Sequence, residues 1–425
     1  MLTSPKLRTV IRIAEISYGS LVLFVLTVGP VVRLWSAAQA YVPVDSAQLT
    51  TYVVLQLPAL ILSTCRAQRL KVNLTLLLLV TLSVWAILTA ALSPHAAFAS
   101  GNALKTLLAT CTGLYLATSF STRERLLIVF FSMQFGVMIS WFAVARLWTN
   151  SRLENGQWNG IMINPNYLGP ISLVSGLSLC WLVVLCWNLF PTLGKIVSII
   201  VLILTLLLNG AVIWNTSPVN ALVAITISLV AVLVVPITRA FKSARPRDSD
   251  YRLIPRLGLA IAAGVSLLVY CFNDLINGPL LPVNVLQSRI YAWSYAWHGA
   301  LERPWLGWGQ GVAWNNSQFR KMDGYWTVEL LAHSHSAFYE TLLSFGFPGV
   351  LLLIGYLAVG CTQQSLVSYR ERLSSYSIVF FCIFVSIFEP FLATNFFTWS
   401  LVVAFITGLT THNITNSSNT TSSNQ

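Results

Sequence analysis

An all-α protein that crosses a membrane many times is the fold class this sequence predicts, and three observations predict it. Of 425 residues, 56% are hydrophobic and only 9% are charged, against roughly 25% charged in a soluble domain. Mean hydropathy is +0.72. Apolar runs near the roughly 20 residues that a membrane helix needs recur from end to end.

The elements follow in order. About twelve spans are expected, at roughly 13–35, 49–65, 72–92, 102–120, 126–148, 161–188, 193–214, 219–238, 257–273, 336–360, 374–392 and 395–411. The second is short and holds Pro58. The N-terminal basic residues and first apolar run are like a signal peptide. No convincing small-residue cleavage site follows, so the run reads as a retained first helix. Residues 1–273 thus form an N-terminal set of about nine helices. Residues 274–335 are one large polar loop, 336–411 about three further helices, and 412–425 a polar, disordered tail. The seven cysteines lie in or beside apolar runs with no CxxC spacing. They suggest neither a disulfide framework nor a zinc site.

Lys and Arg give the orientation. With the N-terminus inside, the inner ends collect most of the 25 basic residues, among them Arg66, Arg69, Lys71, Arg239, Lys242 and Arg245. Both termini are then cytoplasmic and the 274–335 loop lies outside. The net charge of +12 needs no nucleic acid, because inner-face basic residues anchor to anionic lipid. Arg33, Lys105, Arg146, Arg152, Arg289, Arg303, Arg320 and Lys321 remain outside. Each is open to snorkelling or an ion pair. Grouped around one loop, they also suit a shared anion, and a lipid-linked diphosphate is the natural one at that interface.

The stretch from Arg289 to Gly349 organises the chain. Tyr291, Trp293, Tyr295 and Trp297 are explained by an interfacial aromatic belt, which does not explain Arg289 before them. Arg303-Pro304-Trp305-Leu306-Gly307-Trp308-Gly309-Gln310-Gly311 is a tight turn. It is no dinucleotide fingerprint, since no strand precedes it. Its glycines allow exposed backbone N–H groups that suit phosphate. His333-Ser334-His335-Ser336 precedes an apolar helix, and two histidines two residues apart are a poor helical metal pair. They are open to a capping role or to general-base work, for which histidine has the right intrinsic pKa.

Arg289…Trp293, then Pro304 to Gly309, then Ala332-His333-Ser334-His335-Ser336, then Gly346-Phe347-Pro348-Gly349, with Asn164-Pro165-Asn166 upstream, resembles the signature of the O-antigen ligase/polymerase superfamily. The resemblance covers about 155–400 and implies a GT-C-like helical bundle in the bacterial inner membrane with its site facing the periplasm. It implies a glycosyltransferase taking glycan from undecaprenyl diphosphate. A ligase delivers the glycan to lipid A–core; a polymerase delivers it to another lipid-linked glycan. By position it makes His335 the essential histidine and Arg289 the loop arginine, with His333, Gly307, Gly309, Asn164 and Asn166 in support. The chain departs from the family at Ser336, where an asparagine is usual. It departs again at Thr216-Ser217-Pro218, where an arginine is usual, and that leaves Arg146 or Arg152 as substitutes.

The chemistry needs charge on the departing diphosphate and a proton acceptor for the incoming hydroxyl. No DxD pair occurs among the outer acids, so no metal or other cofactor is expected. Arg289, Arg152, Arg146 and Arg303 are then the cations, since guanidinium binds phosphate bidentately. His335 is the expected base, and attack opposite the diphosphate inverts the anomeric centre. Glu340 reads as a solvated interfacial acid slightly better than as a group orienting His335. Glu389, placed deep in a late span, needs a partner inside the bundle. The ligase reading leads and a polymerase is the alternative. A secondary transporter would share the span count, but no internal repeat is visible.

Overall fold

A computed structural model of the chain describes residues 5–27, 46–146, 151–152, 156–162, 165–216, 283–315, 333–363, 367–394 and 397–410. The described residues form α-helices and short 3-10 turns, with one isolated β-bridge between Arg152 and Trp158 and no strand. The helices are α1 (Pro5–Val25), α2 (Ser46–Cys65), α3 (Leu74–Ala91), α4 (Ala96–Ser119), α5 (Thr122–Ala145), α6 (Pro165–Cys186), α7 (Thr192–Thr216), α8 (Val283–Glu302), α9 (Val312–Asn315), α10 (Ala337–Thr362), α11 (Tyr369–Val385) and α12 (Phe397–Gly408). Helices overlap ten of the expected spans, the first of them (13–35) only as far as Val25; residues 28–35, 219–238 and 257–273 fall outside the described residues. Five described helices are long and apolar enough to cross a membrane: α3, α5, α6, α7 and α10. α2 and α12 are shorter apolar helices.

α4 is central and packs on α2, α3 and α12. Its contact with α12 is polar as well as apolar. Trp399 Nε1 donates to Thr110 Oγ1 at 2.9 Å, and Ser400 Oγ donates to the Ala109 carbonyl at 2.7 Å. Such bonds help because lipid tails supply no hydrophobic drive between helices. α12 is buried throughout. α7 is largely exposed, with Leu204 and Leu207 turned outward, as a lipid-facing helix would be.

The two ends of α4 meet different chemistry. At its C-terminus Arg12 bonds Glu124 at 2.7 Å and the Ser119 carbonyl at 2.9 Å, while Arg66 reaches Glu15 and Ser119. Ser121 and Glu124 close a capping box on α5. Near its N-terminus Asn102 Nδ2 donates to the Gln310 carbonyl at 3.1 Å. At 1.5 Å per residue the two clusters stand about 26 Å apart along α4, close to the thickness of a bilayer core.

Glu389 was expected inside a late span. α11 instead stops at Val385, and Glu389 lies in the irregular connection to α12. Pro390 follows it, and a residue before proline is pushed out of helical geometry.

Candidate active site

Three segments converge on Glu389, whose side chain is 2% exposed. Asn166, in the first turn of α6, donates from Nδ2 to Oε1 at 2.9 Å. Arg289, on α8, donates from Nη2 to the same oxygen at 3.2 Å. Nδ1 of His335 faces Oε2 at 3.4 Å. Burial alone would raise the Glu389 carboxyl. The hydrogen bond from His335 and the fields of both histidines and Arg289 outweigh it and hold the carboxyl below its usual range. Burial lowers the Arg289 guanidinium, with Glu389 opposing.

The loop carrying His335 is held from both sides. The Ser334 amide donates to Glu340 Oε2 at 3.0 Å, and Trp314 Nε1 donates to Glu340 Oε1 at 3.0 Å. The Ala337 amide donates to the Ser386 carbonyl at 2.8 Å, which ties the loop to the end of α11. Glu340 is thus buried and clamps the histidine loop to α9; the solvated acid preferred from the sequence is not what forms. His335 has φ 51, a left-handed conformation that costs a non-glycine residue on the order of 1–3 kcal/mol and persists only where the surroundings impose it.

The two histidines have different hydrogen-bond roles. The His335 amide donates to His333 Nδ1 at 3.2 Å, so His333 carries its proton on Nε2. Burial and then the neighbouring His335 push His333 down to about 4, so it is neutral at pH 7. For His335, the carboxylate at Nδ1 favours the tautomer protonated there, leaving the lone pair on Nε2. One imidazole is a donor and the other an acceptor.

The glycine turn serves packing. The Gly307 amide donates to the Arg303 carbonyl at 2.8 Å, the Trp308 amide to Leu343 at 2.9 Å and the Gly309 amide to Ser344 at 3.0 Å. These three N–H groups, expected to meet phosphate, are therefore taken by backbone carbonyls, two of them in the broken start of α10. A Cβ at Gly307 would lie 2.5 Å from the Ser344 carbonyl carbon, and one at Gly346 2.5 Å from the Pro304 carbonyl oxygen. The motifs around Gly307 and Gly346 are two halves of one tight joint.

The other expected site residues are not joined to the cluster by any described contact. Arg303 packs 5.3 Å from the Trp308 ring and reaches the Leu92 carbonyl at 3.5 Å. Arg146 lies over Phe142 and Arg152 over Trp158, both exposed. Asn164 lies outside the described residues. The ligand atoms of His333, His335 and Glu389 lie within 4.8 Å of one another, a spacing that could hold a metal ion. Glu389 Oε1 is already shared by Arg289 and Asn166, so a fixed cation stands where a metal would add charge. Sequence reasoning missed two features. Its demand for a Glu389 partner was met by residues far off in the chain, and nothing marked Asn102 and Thr106, which bond Gln310 and bring α4 to the site. Beside the cluster is a cavity of about 220 Å³ lined by His333, Asn102, Gln310, Thr341 and Ser344, among others.

The apolar helices make this a multi-pass membrane protein, and at one end of the described bundle a buried arginine, a buried carboxylate and an imidazole meet. Residues 167–354 match the family model described as O-antigen ligase. The match spans 188 of the 425 residues and is what this segment of the chain is similar to. It contains Arg289, His333 and His335, while Asn166 and Glu389 lie outside it. No curated protein matches the chain.

Proposed function

We propose that the chain is an O-antigen ligase. It is a metal-independent, inverting glycosyltransferase that moves a glycan from undecaprenyl diphosphate to lipid A–core. The single observation that carries this reading is the sharing of Glu389 by Arg289 and His335, which sets a phosphate-binding cation beside a proton acceptor. The acceptor hydroxyl oxygen bonds to the anomeric carbon as the bond from that carbon to the diphosphate oxygen breaks. The electron pair leaves with undecaprenyl diphosphate, and the hydroxyl proton passes to Nε2 of His335. Glu389 holds the imidazole in the accepting tautomer and balances the imidazolium that forms. Arg289 alone, of the four arginines expected to bind the diphosphate, shares a carboxylate with the base. It keeps most of its guanidinium fork for phosphate oxygens.

Orientation follows from the ends of α4. The Arg12–Arg66 end is the basic one and is assigned to the cytoplasm. The Glu389 end then faces the periplasm, across the inner membrane.

The test is complementation of a deletion strain by wild type, His335→Ala and His333→Ala, read as surface glycan on a lipopolysaccharide gel. The expected result is no capped lipopolysaccharide with His335→Ala, with polymerised lipid-linked glycan accumulating, and a milder loss with His333→Ala. Core carrying a single repeat in the deletion strain would mean a polymerase instead. Normal capping by both variants would remove the base mechanism.

A further inference from the structure

We infer that the cavity beside the histidines is a subsite for one neutral, hexose-sized sugar ring. The inference rests on the glycosyltransferase reading and adds what the site recognises. The cavity has a volume of about 220 Å³, below the about 300–1,000 Å³ of pockets for drug-sized ligands, which limits it to roughly one ring.

Glu340 apart, its lining carries no acidic or basic side chain among the described residues other than His333, and several of its polar groups are unsaturated in hydrogen bonds. Gln310 is 8% exposed, Thr341 2% and Ser344 3%. Gln310 uses Oε1 to accept from Thr106 and its carbonyl to accept from Asn102. Its Nε2 has no partner among the described residues, and neither do the Thr341 and Ser344 hydroxyls. Asn102 spends Nδ2 on that carbonyl and keeps Oδ1. His333 adds a neutral N–H, because its Nδ1 is taken by the His335 amide. Buried polar groups are seldom left unpaired, and here several of them line one space. Tyr167 and Phe391, whose rings meet at 5.4 Å, add an apolar wall. Donors and acceptors around an aromatic wall match the hydroxyl rim and C–H face of a pyranose.

The lining also rejects the diphosphate. No lysine or arginine lines the cavity among the described residues, and Glu340 there has both oxygens engaged by Trp314 and Ser334. The anion stays at Arg289 and a sugar occupies the cavity. That sugar is either the acceptor's terminal residue or the first residue of the donor.

The experiment uses Thr341→Val with Ser344→Ala, which removes two hydroxyls at nearly constant shape, and Ser344→Leu, which fills the space. Steady-state transfer by purified full-length protein should show KM for one substrate rising about 10- to 30-fold in the double variant, as two lost hydrogen bonds imply, with kcat within about threefold. A rise in acceptor KM assigns the ring to the acceptor, and a rise in donor KM assigns it to the donor. Saturation-transfer NMR with methyl gluco-, galacto- and mannopyranoside is the second readout. At least one should bind wild type and Arg289→Ala, and none should bind Ser344→Leu that retains the wild-type melting temperature. Sugar binding without any glycosyl transfer would sink the enzyme reading and leave the subsite standing. Unchanged KM values with no methyl glycoside bound would overturn the subsite.

Discussion

Glu389→Gln is the sharpest probe of the site because it changes charge and one proton while keeping shape. The carboxylate has three partners: Asn166 at 2.9 Å, Arg289 at 3.2 Å and His335 Nδ1 at 3.4 Å. A glutamine can present its carbonyl to Asn166 and Arg289 and keep both bonds. The third position then presents an amide N–H to Nδ1. That N–H forces the proton of His335 onto Nε2, the nitrogen that must accept, and removes the charge that balances the imidazolium. Losing general-base function typically costs about 10²–10⁴-fold. Glu389→Gln should therefore reduce kcat by that factor with a small change in donor KM. Glu389→Ala should behave differently. It leaves Arg289 buried without its counter-charge, and breaking a buried pair costs about 3–5 kcal/mol of stability. The assay is transfer of a labelled lipid-linked glycan by purified protein in detergent, with melting temperature measured alongside. A Gln variant within about threefold of wild-type kcat would refute the tautomer argument. A Gln variant as unstable as Ala would show that the carboxylate serves structure alone.

Three further outcomes follow from the same geometry. Arg289→Lys should be nearly as damaging to donor binding as Arg289→Ala, since a point charge does not reproduce a bidentate fork; full activity of the Lys variant in the transfer assay would reduce Arg289 to a positive anchor. Activity should survive EDTA because Arg289 already supplies positive charge at Glu389, whereas loss on chelation with rescue by magnesium or manganese would point to the His333–His335–Glu389 set as a metal site. His333 is lowered from 6.5 to about 4, so the unfolded chain binds its proton first on acidification and the protein should lose stability as pH falls from about 6.5 to about 4; His333→Gln should flatten that part of a melting-temperature profile, and an unchanged slope would show that His333 is not held neutral.

What the sequence could show depended on how local each signal was. Helices were visible because each span is a mainly apolar run, and α3, α6 and α10 appear where hydropathy put them. His335 and Arg289 were visible because ionisable residues beside apolar helices need a reason to be there. Glu389 was half visible: its cost in an apolar setting demanded a partner. The partners, Asn166, Arg289 and His335, lie 223, 100 and 54 residues away, beyond the reach of any local pattern. The glycine turn shows the opposite failure. Glycines near an anionic substrate suggest amides for phosphate, yet Gly307 and Gly346 are needed because two backbones approach within 3 Å. A glycine-rich stretch states that something comes close and does not state what. The site is therefore divided by the origin of its parts. Of the groups assigned to chemistry, His335 and Glu389 stand in the connections beside helices, where composition changes abruptly and can be read, while Arg289 sits within α8. The groups assigned to recognition, Asn102, Thr341 and Ser344, sit on α4 and α10 as ordinary polar residues in apolar helices, and only packing reveals that they share a cavity.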